Sequence, residues 1–359
     1  MNKKINNAAI YVEIVDETNK LEYRDFVLQS NRALAQHTLE WANVIESIGQ
    51  DKRIYLLAKN ADGVVVGAMP AWFYECDLGS ILMSNPQAGG YGGIVEDNVN
   101  LSEQVYKHLI ATFVYLANRK GCVLATICTP PFYGNYDFYI EYFRPDFVKD
   151  NFFQYVDLKK DILVETNSKN RNNIKRNLRI AKEYGIKVVF DNSQELFKEW
   201  YSIHMKRMNE IGAKSIPIVL FEEARKNLCN QEMGFWGYVI DNNRVIGGAL
   251  FIGSGEVVDI FMMSTDSDFF QKQPNTLLVY ESLVYAKEKG FSFLNWQSSS
   301  SRESNVYHFK KSWGSQEGLH YYLTKVIGDI SNLKNIPLDI VKEKYIWHYV
   351  MPFEQFNNS

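Results

Sequence analysis

The sequence predicts an α/β protein of two tandem domains, each a mixed sheet flanked by helices. Three observations carry this. The chain has 359 residues, more than the roughly 250–300 at which a single core stops growing. Hydrophobic residues make up 46% of it and aromatics 14%, which fills packed cores and excludes general disorder. The same order of elements, hairpin then helix then buried strand, occurs in both halves.

In the first half, "TLEWANVIESI" begins a helix with Thr38 at the cap and Glu40 and Trp41 in its first turn. "RIYLLAKN" and "GVVVGAMPAWFY" read as strands joined by the turn Asn60-Ala61-Asp62-Gly63. "GGYGGIV" follows, then an amphipathic helix from Leu101 to Arg119, the stop Gly121 and the buried strand "CVLATICT". The strand "FFQYVDLKKD" closes this half.

The second half opens on "SKNRNNIKRNLRIAKEYG", a helix for Ser168 to cap and Gly185 to end. Helices "QELFKEWYSIHMKRMNEI" and "IVLFEEARKNLC" flank "GAKSIP". "GFWGYVI" and "RVIGGALFI" then flank the turn Asp241-Asn242-Asn243, and "EVVDIFMMS" is a third strand. "PNTLLVYESLVYAKEK" is a helix with Pro274 in its first turn and Gly290 after its end. "FSFLNWQS" is a strand, Asn305 to Ser312 a short helix and "GLHYYLTKV" the final strand. Gly67 and Gly247 hold like places in the two hairpins, as Gly121 and Gly290 do after the two helices. The expected domains are 1–160 and 161–345, with 346–359 as a C-terminal tail.

A net charge of −3 excludes a globally basic DNA binder and leaves room for local basic patches. The four cysteines form no CxxC pair and have no histidine at zinc spacing, so they read as buried free thiols of a reducing compartment, with no metal. The N-terminus lacks an apolar core of signal-peptide length, and "LIATFVYLA" is far short of the ~20 residues that span a bilayer. The expectation is a cytoplasmic protein without a transmembrane segment, with peripheral membrane contact left open.

Several residue groups could carry chemistry. Arg171, Lys175, Arg179 and Lys182 recur at helical spacing, a cationic face that suits the phosphates of a nucleotide, a coenzyme or an RNA backbone; a solvated helix face is the alternative. Lys272, Gln273, Asn275 and Thr276 stand where a strand hands over to a helix. That loop has no glycine and Pro274 removes one N–H, so a donor would be held through side chains. Asp259, between Val258 and Ile260, needs a partner if buried, and burial would raise its pKa toward the general-base range; otherwise it faces water. His204 and His308 are the histidines placed nearest a candidate site. Lys310 lies among Tyr307, Phe309 and Trp313, which would bury its stem and direct its ammonium into a pocket to stabilise an oxyanion or a carboxylate. Lys310, Asp259 and His308 are thus the candidate catalytic residues. No GxSxG or HExxH pattern occurs.

Taken in order, "HTLEW", "SNPQAGGYGGI", "SKNRNNIKRNLRIAKEYGIKV", "QPNTLLVYESLVYAKEKGF" and "YHFKKSWGS" make the chain resemble the Fem-type aminoacyltransferases and the wider group of tandem acetyltransferase-fold, GNAT-like proteins. The resemblance implies two GNAT-like domains with the reactive cleft in or beside the second. It implies transfer of an acyl or aminoacyl group from acyl-CoA (acetyl-CoA) or aminoacyl-tRNA to an amine of a cell-envelope precursor. The acceptor would be an amino sugar, a peptidoglycan-type precursor or another nucleotide- or lipid-linked glycan. Lys310 takes the place of the late lysine of the "FK" pair, Tyr91 and Gly92 would border an acceptor site between the domains, and Arg171, Lys175 and Arg179 would face phosphates. The short "GAKSIP" connection leaves no room for the charged coiled-coil arm of Fem members that build interpeptide bridges, so tRNA is an open partner. A non-catalytic scaffold of the same fold, binding a nucleotide-linked glycan or a protein, is the alternative.

Overall fold

The structure, a computed structural model, describes residues 9–49, 51–85, 90–97 and 99–357. Residues 86–89 of the "SNPQAGGYGGI" stretch lie outside them. The chain forms two compact units, one of Met1–Asn151 with Leu319–Ser359 and one of Phe152–Gly318.

The first unit contains β1 (Tyr11–Ile14), α1 (Lys20–Gln29), α2 (Leu39–Glu46), β2 (Lys52–Arg53), β3 (Leu56–Lys59), β4 (Val65–Met69), β5 (Trp72–Tyr74), β6 (Ile81–Met83), β7 (Val95–Glu96), α3 (Ser102–Arg119), β8 (Leu124–Cys128) and α4 (Tyr136–Phe143). β9 (Phe147–Asp157) carries the chain into the second unit. There follow α5 (Ser168–Glu183), β10 (Lys187–Phe190), α6 (Gln194–Glu210), α7 (Ile218–Asn227), β11 (Gly234–Asp241), β12 (Arg244–Ser254), β13 (Val257–Thr265), α8 (Pro274–Glu288), β14 (Phe293–Gln297) and α9 (Asn305–Ser312). β15 (Gln316–Val326) returns the chain to the first unit, which ends with α10 (Ser331–Lys334) and α11 (Leu338–Lys344).

In the first unit β1-β3-β4-β7 form one four-stranded sheet, while β15, β8, β6, β5 and β2 pair in that order in another. Pro70 explains why "GVVVGAMPAWFY" is not one strand: it has no N–H for a ladder, and the chain breaks there into β4 and β5, which belong to different sheets. Along α3, Val105, Leu109, Ile110, Phe113 and Leu116 recur at helical spacing and are buried in one core with Leu56, Ala58, Val66 and Met69.

The second unit is a sheet ordered β10-β11-β12-β13-β14-β9, antiparallel except for the parallel pair β13–β14. The turn between β11 and β12 puts Asn242 at φ 47° and Asn243 at φ 64°, the left-handed pair that a two-residue hairpin requires and asparagine tolerates. α5 and α8 contribute Ile174, Ala181, Leu278, Val279 and Leu283 to a core with Val239, Ala249, Val258 and Leu294. On α6, Trp200 is fully buried and donates from Nε1 to the Gly248 carbonyl at 2.9 Å.

Three expectations are corrected. The second unit stops at Gly318, not at 345, because β15 runs antiparallel to β8 with Tyr322 opposite Cys128 and so completes a first-unit sheet. The expected C-terminal tail is packed over its described residues, 346–357: Val350, Met351 and Phe356 are buried with Ile81, Met83, Leu124, Leu333 and Tyr345. α5 is capped by Asn167, whose Oδ1 accepts from the Asn170 N–H at 2.9 Å, and not by Ser168, which is already inside the helix. Gly185 does follow its end, at φ 69°.

Candidate active site in the second unit

The parallel pair at the centre of the second sheet is short. β13 and β14 pair only from Val257–Phe293 to Asp259–Asn295. Just beyond, each strand carries an extra residue. On β13, Ile260 and Met262 face consecutive residues of β12, leaving Phe261 bulged; on β14, Asn295 and Gln297 face consecutive residues of β9, leaving Trp296 bulged. A bulge bends its strand and increases the local twist. Two bulges at one level make β13 and β14 diverge, and among the described residues neither has a ladder partner across the opening beyond Asp259 and Asn295. The result is a fork that opens between β13 and β14.

Lys310 stands at the open end of β14. α9 begins where Ser304 accepts the Tyr307 N–H on its Oγ at 3.1 Å, and one turn later the lysine is carried over the end of the strand. Its residue is only 7% exposed, and its Nζ donates to the carbonyls of Gln297 at 3.2 Å and Ser298 at 2.8 Å. Burial without a carboxylate partner pushes its pKa down from the usual lysine value to about 8. The aromatic setting read from the sequence is present, with Phe309 and Trp313 edge to face at 6.4 Å. The surface-snorkelling alternative is not realised, because the ammonium is held inward by two carbonyls.

Asp259 is 2% exposed, which removes the alternative that it faces water. Its Oδ1 accepts from Asn295 Nδ2 at 2.7 Å; Asn295 Oδ1 accepts from the Gln297 N–H at 2.9 Å; and the Gln297 carbonyl accepts from Lys310. Gln297 adopts φ 59°, a strained conformation for a residue with a side chain, and these bonds hold it from both sides. Asn295, fully buried, and Gln297 are the residues that sequence reasoning missed. The available signal was an asparagine inside the apolar strand "FLNWQ", where a polar group must be paired.

The remaining candidates lie elsewhere. His308 is exposed and lines a polar pocket of about 570 Å³ with Asn167, Asn170, Lys311 and Ser315. His204 is buried on α6, bonded through Nδ1 to Ser264 Oγ at 3.0 Å and stacked on Trp200, and burial lowers its pKa to about 4. The four donor-loop residues are engaged internally. Lys272 Nζ meets Asp241 Oδ2 at 2.6 Å, and Gln273 Nε2 donates to the Phe270 carbonyl at 3.3 Å. Asn275 accepts from the Thr265 hydroxyl, and Thr276 Oγ1 accepts from Asn177 Nδ2 at 3.5 Å. On α5, Arg171 turns back to the Val164 and Thr166 carbonyls, Arg179 pairs with Glu183 at 3.6 Å, and Lys175 is exposed. Tyr91 and Gly92, in the first unit, are buried; a Cβ on Gly92 would lie 2.1 Å from the Ser84 carbonyl oxygen, so glycine is required there by close packing.

Residues 168–302 match the family described as an acetyltransferase (GNAT) domain, a span that contains the fork and ends just before α9. No curated protein matches the chain. Among solved structures, FemX is similar with a TM-score of 0.68 at 14% identity, covering 87% of this chain and 97% of its own. L-PGS from Bacillus licheniformis is similar with a TM-score of 0.59 at 12% identity, covering 94% and 99%. A tandem GNAT protein from the clavulanic acid biosynthesis pathway gives 0.51 at 9% identity, covering 89% and 99%. The chain therefore has the tandem GNAT-like fold shared with FemX, within which residues 168–302 match the acetyltransferase (GNAT) domain family.

Proposed function

We propose that this chain is an N-acyltransferase in which the β13–β14 fork receives the acyl end of an activated donor and Lys310 stabilises the charge that develops on it. One observation carries the reading. An ammonium has three N–H donors, and Lys310 commits two of them to the Gln297 and Ser298 carbonyls, which leaves the third for an oxygen of a ligand at the mouth of the fork.

The opening between the two strands suits a donor with an extended arm, which can lie between them as an added strand would. An acceptor amine attacks the donor carbonyl, whose C=O electrons move onto oxygen. Lys310 bonds that oxyanion; the carbonyl then re-forms as the thiolate or alkoxide leaves, and the proton released by the amine passes to water or to the leaving group. A preorganised donor of this kind is worth roughly 10²–10³ in kcat. Asp259 does not touch the reacting atoms in this scheme; through Asn295 it positions the Gln297 carbonyl that orients Lys310.

The donor is a coenzyme A thioester or an aminoacyl ester of tRNA, and the internally bonded residues around α8 favour a donor whose phosphates are not gripped there. The resemblance of the sequence to the Fem-type aminoacyltransferases favours an amine of a cell-envelope precursor as acceptor. The test is single-turnover transfer from radiolabelled acetyl-CoA and, separately, from charged tRNA to a panel of amine acceptors, with Lys310→Met alongside. Transfer from one donor that is lost in Lys310→Met supports the reading. Transfer at the wild-type rate in Lys310→Met, or none from either donor, overturns it.

A further inference from the structure

Gln154 lies on β9 and is 1% exposed. Phe152, Phe153 and Val156 beside it on the strand are buried as well. A buried amide is costly unless both of its ends are paired, and an apolar side chain would fill the same place without that cost. Both ends are paired here. Nε2 donates to the Tyr307 carbonyl at 3.2 Å, and Oε1 accepts from the Ser299 hydroxyl at 3.3 Å.

The two segments that these bonds join are the two that make the Lys310 site. Ser299 follows Gln297 and Ser298, whose carbonyls accept from Lys310 Nζ. Tyr307 stands in the first turn of α9, one turn before Lys310. In the sheet Gln154 is also the register partner of Gln297, the residue held at φ 59°. The chain of Asp259 and Asn295 reaches the Gln297 backbone from the β13 side; Gln154 reaches it from β9, the other neighbour of β14. One side chain thus ties the loop that carries the acceptors of the ammonium to the helix that carries the ammonium.

We propose that Gln154 is a positioning residue for acyl transfer: by bridging Ser299 and the Tyr307 carbonyl it sets the distance between the Lys310 ammonium and its two carbonyl acceptors, and so where the third N–H points. The proposal rests on the reading of Lys310 given above, and in it Gln154 touches no reacting atom. Loss of the bridge loosens α9 from the loop, which weakens an interaction made with the oxyanion and spares substrate binding.

The experiment compares wild type, Gln154→Met and Ser299→Ala as full chains by two readouts. One is steady-state transfer from acetyl-CoA and, separately, from charged tRNA. The other needs no substrate: the pH titration of the Lys310 Nζ signal by NMR, in protein labelled at the lysine side-chain nitrogens, assigned by its loss in Lys310→Met. Gln154→Met keeps an unbranched side chain and deletes both bonds; it should lower kcat by about tenfold with KM unchanged. Released from its acceptors, the ammonium meets water, so its titration midpoint should rise from about 8 toward 10.5. A residue that only supported the fold would lower the melting temperature and leave kcat and the midpoint where they were. Ser299→Ala deletes one of the two bonds from a half-buried side chain; it should move both readouts the same way by less, and it decides the question if Gln154→Met fails to fold. If the wild type transfers from neither donor, the reading of the site fails while the titration still decides on Gln154. A midpoint that stays at about 8 or falls, or a wild-type kcat in the folded variants, would overturn the proposal.

Discussion

Asp259 and Lys310 belong to different elements of the second unit, a central strand and a late helix, and three hydrogen bonds through Asn295 and Gln297 join them. The carboxylate fixes the asparagine, the asparagine fixes a strained backbone unit, and that unit's carbonyl fixes the ammonium. Each bond is made inside a region of low dielectric, where hydrogen bonds are stronger and unpaired groups are costly. The lysine is therefore oriented without the neutralisation that a direct ion pair would bring.

Removing the ammonium should abolish turnover while the fold survives. Lys310→Met is expected to lower kcat by roughly 10²–10³ with an unchanged circular dichroism spectrum, and Lys310→Arg to restore part of the loss. Equal turnover by all three proteins would show that the lysine only supports the chain.

The pKa of Lys310, lowered to about 8 by burial, gives a pH dependence with a definite sign. If the protonated form stabilises the oxyanion, kcat falls as pH rises through about 8. Stability moves the opposite way. Between about 8 and the ordinary lysine value of 10.5 the unfolded chain holds a proton that the folded chain has released, so this group makes the fold more stable as pH rises across that window. A pH–rate profile beside urea titrations at several pH values checks both signs.

Asn295→Ala removes the donor to Asp259 and the acceptor for the Gln297 N–H. It is expected to cost about 2 kcal/mol of stability, as a buried network loses a member. It should also lower kcat more than it raises KM, because the lysine anchor is loosened. A loss of stability with kcat intact would separate the network from catalysis.

Acid should destabilise the protein through its buried histidines. His37, His204 and His320 each have a pKa lowered from 6.5 to about 4 by burial. Between those values the unfolded chain takes up protons that the folded chain refuses, so stability is lost as pH falls from 6.5 toward 4. Melting temperatures measured across that range should decline progressively, and His204→Gln should reduce the slope.

Gly92→Ala tests the role given to the "GYGG" turn. With a Cβ 2.1 Å from a backbone oxygen, the substitution should cost about 3 kcal/mol through overpacking, read as a lower urea midpoint. An alanine variant of wild-type stability with a raised acceptor KM would instead return the turn to the acceptor site.

Much of the fold is legible locally. The periodicity of α3 and α8, the Asn242-Asn243 turn and Thr38 at its cap, where its Oγ1 accepts the Trp41 N–H at 3.1 Å, all follow from interactions between residues close in sequence. Lys310 and Asp259 could be picked out for the same reason: a lysine among aromatics and a carboxylate in an apolar run each conflict with their neighbours. What the sequence could not decide depends on contacts between distant segments. Lys272 and Asn275 look like ligand-binding residues until Asp241 and Thr265 are brought against them. β15 reads as part of the second domain and the last residues as a tail until β8 and Ile81 supply the surfaces that they cover. The fork itself arises from two bulges defined only by the partners of β13 and β14, and a bulge is a property of a strand pair, which one strand's sequence does not contain.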